Sequence, residues 1–479
     1  MNDRKGFGSN FGFLMAAVGS AVGLGNIWGF PNKMGANGGF PFLILYLALA
    51  LCCGVIIMLG ELALGRKTGH GAVGAYQSIS KRFKWLGWLG IAAAALIFSF
   101  YSALGGYCLR YVVVNFGNLI GAEFGTNGVG GADVFQGLLS QPDVSIAFAL
   151  AFMLITMLVV MSGVGGGIER VCSVGMPALF FILIICIIRS CTLPGAADGL
   201  KYMFVPGWAV ANGIIDEAPG FWRVLTAAGG QMFFSLSLGA GVMITYGSYL
   251  DKKQDLGKSA MIIVGMDTVV ALMAGLCVIP GRFALDPNGA LGGPELLFIT
   301  MQNVFDKMGP AGPVFGILFY LLVFFAAISS SISLLEVIVA HFCDKAREKG
   351  KGDRRKLYSA IAVVICAALC ALVCADGMGS NHISPAELLG LAGAKLPGCT
   401  SWLGLFDSVA EGLLMPLGAL LMCLMISWEL KPDTLRQEIL LNGENRPWVY
   451  DFFRLCVKYI TPLCMLMILY GQISDFFIV

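Results

Sequence analysis

The sequence predicts an all-α integral membrane protein of eleven transmembrane helices, a 5+5 inverted repeat in which helices 1 and 6 are broken. Three observations carry that expectation. The 479 residues are 57% hydrophobic and 13% charged, against a usual charged share of about 25%. The apolar residues gather into eleven long runs, each near the roughly 20 residues a helix needs to cross a bilayer. Two of these runs crowd glycine and polar residues at mid-depth, where unwound backbone is tolerated only inside protein or beside a cavity.

Span one, centred on 11–34, contains Gly19-Ser-Ala-Val-Gly-Leu-Gly-Asn-Ile-Trp-Gly-Phe-Pro31. Glycines that let helices pack closely explain one or two of Gly19, Gly23, Gly25 and Gly29. They do not explain Asn26 or the closing proline. The run therefore reads as an unwound helix whose bare carbonyls and amides bind a ligand. Spans two to five centre on 41–64, 87–116, 145–163 and 172–190. Span six, 222–249, reads Gly229-Gly-Gln-Met-Phe-Phe-Ser-Leu-Ser-Leu-Gly-Ala-Gly241, a second break. Spans seven to ten follow at 259–281, 312–342, 357–375 and 403–428. Both breaks open a five-span half, so 11–190 and 221–428 read as two inverted repeats. Residues 450–475 add an eleventh span, and 1–479 form one membrane transport domain. Corresponding interruptions place a binding site where the halves meet. Half-helix N-termini suit a carboxylate, and freed carbonyls suit a small cation.

Span eight carries Ser329-Ser-Ser331. Alone, such a triplet back-bonds to its own helix; beside two broken helices it offers hydroxyl ligands to a hard cation. Asp267 in span seven and Glu61 in span two each cost about 2.5–3.5 kcal/mol at a helix centre, which marks them as functional candidates. Asp267 can supply negative charge beside a cation, and Glu61 can accept hydrogen bonds from unwound backbone.

The fifteen cysteines lack zinc-type spacing and read as packing, including Cys366, Cys370 and Cys374 on one helical face. The three histidines form no ligand set. Nothing resembles a nucleophile triad, a Walker loop or a haem motif, which argues against an enzyme, an ATP-driven pump or an organic cofactor. Loop 345–356 carries Lys345, Arg347, Lys349, Lys351, Arg354, Arg355 and Lys356, whereas 117–144 has no Lys or Arg. By the positive-inside rule the N-terminus lies in the cytoplasm and the C-terminus outside. The basic loop reads as this topology signal, not as a nucleic-acid patch. The first apolar segment is too long for a signal peptide and lacks a small-residue cleavage site.

With residues 19–31, Asn37-Gly-Gly39, Gly60-Glu-Leu-Ala-Leu-Gly-Arg66, Gly167-Ile-Glu-Arg170, 231–241 and 326–331, the chain resembles the neurotransmitter:sodium symporter family. These are the LeuT-type amino-acid transporters, and the resemblance covers nearly the whole length. Eleven spans look like the bacterial branch, hence a bacterial inner membrane, in a monomer or weak dimer. The resemblance implies two Na+ sites. One would use the Ala21 carbonyl, Asn26, Ser235 and Asp267, with the substrate carboxylate. The other would use the carbonyls of Gly19, Val22 and Ala326 with the hydroxyls of Ser329 and Ser330. Asp267 stands where chloride-dependent relatives have a neutral residue, which implies that chloride is not needed.

The resemblance also implies an amino-acid site. The carboxylate would meet the amides of Leu24 and Gly25 and the hydroxyl of Tyr101; the amino group would meet carbonyls of Ala21, Phe234 and Ser235. Gly23 matches the position where amine transporters carry an acid. The side-chain pocket would comprise Ile97, Tyr101, Phe234, Ser237, Ala240, Ser330 and Leu334. Ala240 replaces a bulky residue of leucine-preferring relatives, leaving room for an aromatic or large aliphatic side chain. For the inner gate, Arg4 and Asp344 match an ion pair, Phe7 stands in for the usual tryptophan, and Tyr249 and Glu336 match supporting positions. Gly167 and Pro177 match a spacing that permits inward unwinding of span five.

The outer gate departs from the family. Its usual arginine is Gly29 here, while Asp407 remains and Glu411 lies one turn on. An unpaired acid in a half-dry vestibule is costly. Either Lys33 supplies the counter-charge, or the vestibule welcomes a substrate with a distal positive charge. The expected function is sodium-coupled import of a bulky neutral amino acid by alternating access. A basic amino acid or amine is the alternative substrate, and a sodium channel or substrate sensor on the same fold the alternative class.

Overall fold

The computed structural model describes residues 7–126, 128–287, 295–352, 354–390, 397–430, 433–441 and 447–477, and these are helical or irregular with no strand among them. Nine helices within the described residues are long and apolar enough to cross a membrane. They are Phe40–Thr68, Leu86–Ile120, Pro142–Met161, Val164–Cys191, Leu256–Leu285, Gly309–Glu348, Arg355–Gly379, Trp402–Glu429 and Pro447–Ser474. These correspond in order to expected spans two to five and seven to eleven.

Span one is a bent pair, Asn10–Ala21 and Gly25–Ala36, with 44° between its halves. The bend begins where Val22 turns extended (φ −73°, ψ 101°), and Gly25–Gly29 then winds as a wide π-helical turn. The Asn26 side chain substitutes for a helical partner: its Oδ1 accepts from the Gly23 amide at 3.0 Å.

Span six is not a single long helix. It is Phe221–Leu236 followed by Val242–Gly247, with 237–241 unwound between them. The first piece closes on a Schellman motif. The Leu238 amide donates to the Phe233 carbonyl at 3.1 Å and the Ser237 amide to the Phe234 carbonyl at 3.3 Å. The motif demands a left-handed residue, and here Ser237 (φ 53°) occupies the position where glycine is usual. Its hydroxyl donates to the Ser20 carbonyl across the break at 3.2 Å. Left-handed backbone costs a Cβ-bearing residue about 1–2 kcal/mol. Ser237→Ala and Ser237→Gly both lose the hydroxyl, but only glycine sheds the strain. The glycine variant is therefore expected to be the more stable of the two by about 1 kcal/mol, read by thermal unfolding in detergent. Equal stability would mean that this position carries no strain.

Span two braces the second break. Glu61, only 1% exposed, accepts from the Gly239 amide through Oε1 at 2.7 Å. A Cβ on Gly65 would lie 2.0 Å from the Ile244 carbonyl oxygen, so this helix approaches the second piece of span six backbone to backbone. The two breaks also hold each other. Gln231 Nε2 donates to the Gly25 carbonyl at 2.6 Å, and a Cβ on Gly25 would lie 3.2 Å from Ser235 Cα.

A cavity and two oxygen clusters at the broken helices

Between the breaks lies a small cavity of about 20 Å³. Span one contributes Ala21, Gly23 and Gly25, span three Ile97 and Tyr101, span six Phe234, Ser237 and Ala240, and span eight Ser330 and Leu334. These are the expected pocket residues, and Met415 of span ten joins them. The wall divides by chemistry. Its polar part is the Tyr101 hydroxyl, which accepts from the Leu24 amide at 2.7 Å, with Gly25, Ser237 and Ser330. Its apolar part is Ile97, Ala240, Leu334 and Met415. The Tyr101 and Phe234 rings lie 6.3 Å apart between centroids. Gly23 is what lets spans one, three and eight meet here: a Cβ would sit 2.2 Å from Ser330 Oγ and 2.4 Å from Tyr101 Oη.

Ser235 faces away from the cavity wall toward Asp267, which is fully buried. Its hydroxyl donates to Asp267 Oδ2 at 2.9 Å. Asn26 Nδ2 donates to Asp267 Oδ1 at 2.8 Å and to the Asp267 carbonyl at 3.0 Å. Tyr46 of span two adds its hydroxyl to Oδ2 at 3.3 Å. Three donors from spans one, two and six thus converge on one carboxylate, immediately behind the cavity. Of the expected set, Asn26 and Ser235 meet Asp267 here and Ala21 lines the adjacent cavity; Tyr46 joins them, although no local signal distinguishes it from a packing aromatic.

The second cluster joins the first break to span eight. Ser329 Oγ lies 3.3 Å from the Val22 carbonyl oxygen and 3.0 Å from that of Ala326. Ser330 Oγ lies 3.4 Å from the Gly19 and Val22 carbonyl oxygens. All five expected groups therefore gather within hydrogen-bond reach. The Ser20 carbonyl, which the sequence reading passed over, lies nearer still to Ser330 Oγ, at 3.1 Å. Carbonyl and hydroxyl oxygens with no nitrogen or sulfur form the donor set that a hard cation takes.

On the side of the 345–356 loop, Phe7 packs edge-on to Tyr246 and Tyr249, with centroids 5.7 and 6.2 Å away. Tyr249 donates to Glu336 Oε1 at 2.6 Å. Arg355 completes the cluster through Nη1 on Oε2 at 2.5 Å and Nη2 on Oε1 at 3.0 Å. Asp344 accepts from the Gly71 amide at 3.1 Å. Arg4 lies outside the described residues. Glu169, at the start of span five, ties down the N-terminal segment by accepting from the Gly8 amide at 2.7 Å and from Ser9 Oγ at 2.9 Å.

At the opposite end Lys33 forms its ion pair with Glu411, one turn along from the expected Asp407. Asp407 and Glu411 are four residues apart on span ten, so Lys33 faces a pair of carboxyl groups. Gly29 leaves its space to Gln231, whose Oε1 would lie 2.9 Å from a Cβ there.

Comparison with known proteins places this architecture. The model of the sodium:neurotransmitter symporter family matches residues 4–127 and 132–477. The sodium-dependent transporter YhdH of Bacillus subtilis is 36% identical over 476 residues, 97% of each chain. A sodium-dependent transporter of Methanocaldococcus jannaschii is 30% identical over 91% of this chain and 84% of its own. Neither relative is characterized. Among solved structures, MhsT in complex with L-phenylalanine superposes with a TM-score of 0.83 at 34% identity, covering 98% of this chain and all of MhsT. The chain belongs to the sodium:neurotransmitter symporter family, and is thus a sodium-dependent multi-pass membrane transporter of LeuT-type fold, not an enzyme.

Proposed function

We propose that this protein imports a bulky neutral amino acid, aromatic or large aliphatic, together with two Na+ ions and without chloride. The observation that carries the reading is the divided cavity. Its polar part holds Gly25 and the Tyr101 hydroxyl, which already accepts from the Leu24 amide, as groups for a carboxylate, and no charged side chain lines its wall. That lining disfavours a basic substrate, and the Lys33–Glu411 pair offsets the acidity of the vestibule. MhsT, the structural neighbour, holds phenylalanine.

One Na+ would sit against Asp267, Asn26, Ser235 and the Ala21 carbonyl, next to the substrate carboxylate. The other would take the Gly19, Val22 and Ala326 carbonyls with Ser329 and Ser330. The second set spans the break of span one and the intact span eight, so occupancy favours the arrangement in which the two are joined. A ligand shifts a conformational equilibrium only by its differential affinity for the two states, and this cluster supplies one. Asp267 provides fixed negative charge where an anion would otherwise be needed, which supports chloride independence. In this reading 11–190 and 221–428 are the inverted repeats, the N-terminus is cytoplasmic and the membrane is a bacterial inner membrane.

The test is uptake of a labelled amino-acid panel into proteoliposomes, with and without an inward Na+ gradient, in chloride and in gluconate. The reading expects accumulation of phenylalanine or a large aliphatic residue that collapses without Na+ and is indifferent to chloride. Accumulation of lysine or an amine alone would overturn the substrate class, and Na+ current without accumulation would indicate a channel. Removing one ligand should show in the same assay. Ser329→Ala is expected to raise the Na+ concentration for half-maximal uptake about tenfold or more, since a polar contact to a charged group contributes about 1.5–3 kcal/mol. An unchanged Na+ dependence would remove Ser329 from the site.

A further inference from the structure

The cavity has one wall residue from outside the two broken helices and their immediate neighbours in spans three and eight. Met415 of span ten reaches it and is itself only 1% exposed. Its backbone is pinned: a Cβ on Gly239 would lie 2.1 Å from the Met415 carbonyl oxygen. Three residues on, a Cβ on Gly418 would lie 3.0 Å from the Gly239 carbonyl oxygen. Span ten is thus docked on the second break at two points, and the Met415 side chain is what it sends into the cavity. Ala240 on the break contributes one methyl group, and Ile97, Leu334 and Met415 supply the rest of the apolar lining. Methionine suits the task, being unbranched, adaptable and favourable against aromatic rings.

Met415 also shares a helical face with the outer gate. Asp407, Glu411 and Met415 are spaced by four residues, and residues four apart are neighbours on a helix surface. The intervening stretch Ser408–Leu414 is a wide π-helical turn that contains Gly412 and no proline. The face that closes on Lys33 through Glu411 is therefore continuous with the residue that touches the substrate side chain.

We propose that Met415 is the specificity-determining residue for the size of the transported side chain, and that it relays the filling of the cavity to the outer gate through span ten. The proposal rests on the amino-acid reading above. A side chain that fills the apolar end packs against Met415 and draws span ten onto the broken helices, bringing Glu411 to Lys33. A side chain that falls short leaves a gap, and span ten closes less often.

The experiment is a reciprocal size swap read as ratios of kcat/KM, which do not depend on how much protein is active. Sodium-driven uptake of alanine, valine, leucine, phenylalanine and tryptophan is measured for wild type, Met415→Ala, Met415→Phe and Met415→Leu. One methylene in an apolar pocket discriminates about 10–200-fold. Met415→Ala should therefore move the tryptophan-to-leucine ratio upward about tenfold or more. Met415→Phe should move the phenylalanine-to-valine ratio downward by a similar factor, raising uptake of valine in absolute terms. Met415→Leu, nearly equal in volume, should keep the wild-type ranking within about threefold. A ranking unchanged in Met415→Phe, even if Met415→Ala fails to fold, overturns the proposal while leaving the amino-acid reading intact. Wild-type protein that accumulates none of the five overturns the amino-acid reading and the proposal with it.

Discussion

Gly23→Ala is expected to lower sodium-driven uptake about 100-fold or more, equivalent to about 2.7 kcal/mol, while leaving the protein folded. The added methyl would lie 2.2 Å from Ser330 Oγ, 2.4 Å from Tyr101 Oη and 3.0 Å from Ser330 Cβ. Two of those contacts are shorter than any real Cβ contact, so something must move, and neither neighbour is free to. Ser330 Oγ is tied to the carbonyls of Gly19, Ser20 and Val22. The Tyr101 hydroxyl holds the Leu24 amide. Separating them opens the cavity and the span-eight oxygen cluster at once, so both substrate and cation sites suffer from one methyl group. Gly23 does not have a positive φ, so alanine fits its backbone and general misfolding is not the expected route. Gly137→Ala, at a helical glycine with nothing within 4 Å, is the control that should transport normally. Near-wild-type uptake by Gly23→Ala would show that the breaks do not meet as closely as described.

The same contacts explain which parts of the site were legible in the sequence. Unwound helix inside a membrane is so costly without a purpose that Gly19, Gly23, Asn26 and the 229–241 run announce themselves locally. The cavity residues carried over by resemblance then line it, apart from Leu24 and Ser235. What local sequence could not carry is which distant residue completes a set. Tyr46, Gln231 and Met415 are ordinary side chains whose role comes from the helix that faces them. Arg355 sat in a basic loop and read as a topology charge, yet it reaches back to Glu336. Lys33 was expected to serve Asp407 and makes its ion pair with Glu411, the other acid of the pair. The two acids are one turn apart, about 5.4 Å along the axis, which is finer than a pattern of spans can resolve. The second break was legible through Gly239 and Gly241, but the left-handed turn at Ser237 that opens it was not, because a serine gives no local sign of a positive φ.

Glu336→Ala is expected to destabilise the protein by about 3–5 kcal/mol, the usual consequence of removing one partner of a buried ion pair. The Glu336 side chain is fully buried and that of Arg355 is 12% exposed. Both guanidinium nitrogens Nη1 and Nη2 donate to this carboxylate, and Tyr249 donates to it as well. Truncation withdraws the acceptor from three donors and leaves a cationic head in a space built for a pair. Arg355→Met should cost a similar amount, because the carboxylate then stays buried without its counter-charge. The paired replacement Glu336→Met with Arg355→Met should cost much less than the two single changes added together, since apolar residues of similar volume often replace a buried pair without loss. Thermal unfolding of the four proteins in one detergent closes the cycle. Strict additivity, or a cost below about 1 kcal/mol for Glu336→Ala, would mean the cluster is hydrated and its charges act separately. Strong coupling would instead make it a latch. It ties span eight, which carries Ser329 and Ser330, to the start of span nine. Through Tyr249 it also reaches the end of span six, so the cation cluster and the second break share one anchor at this face of the membrane.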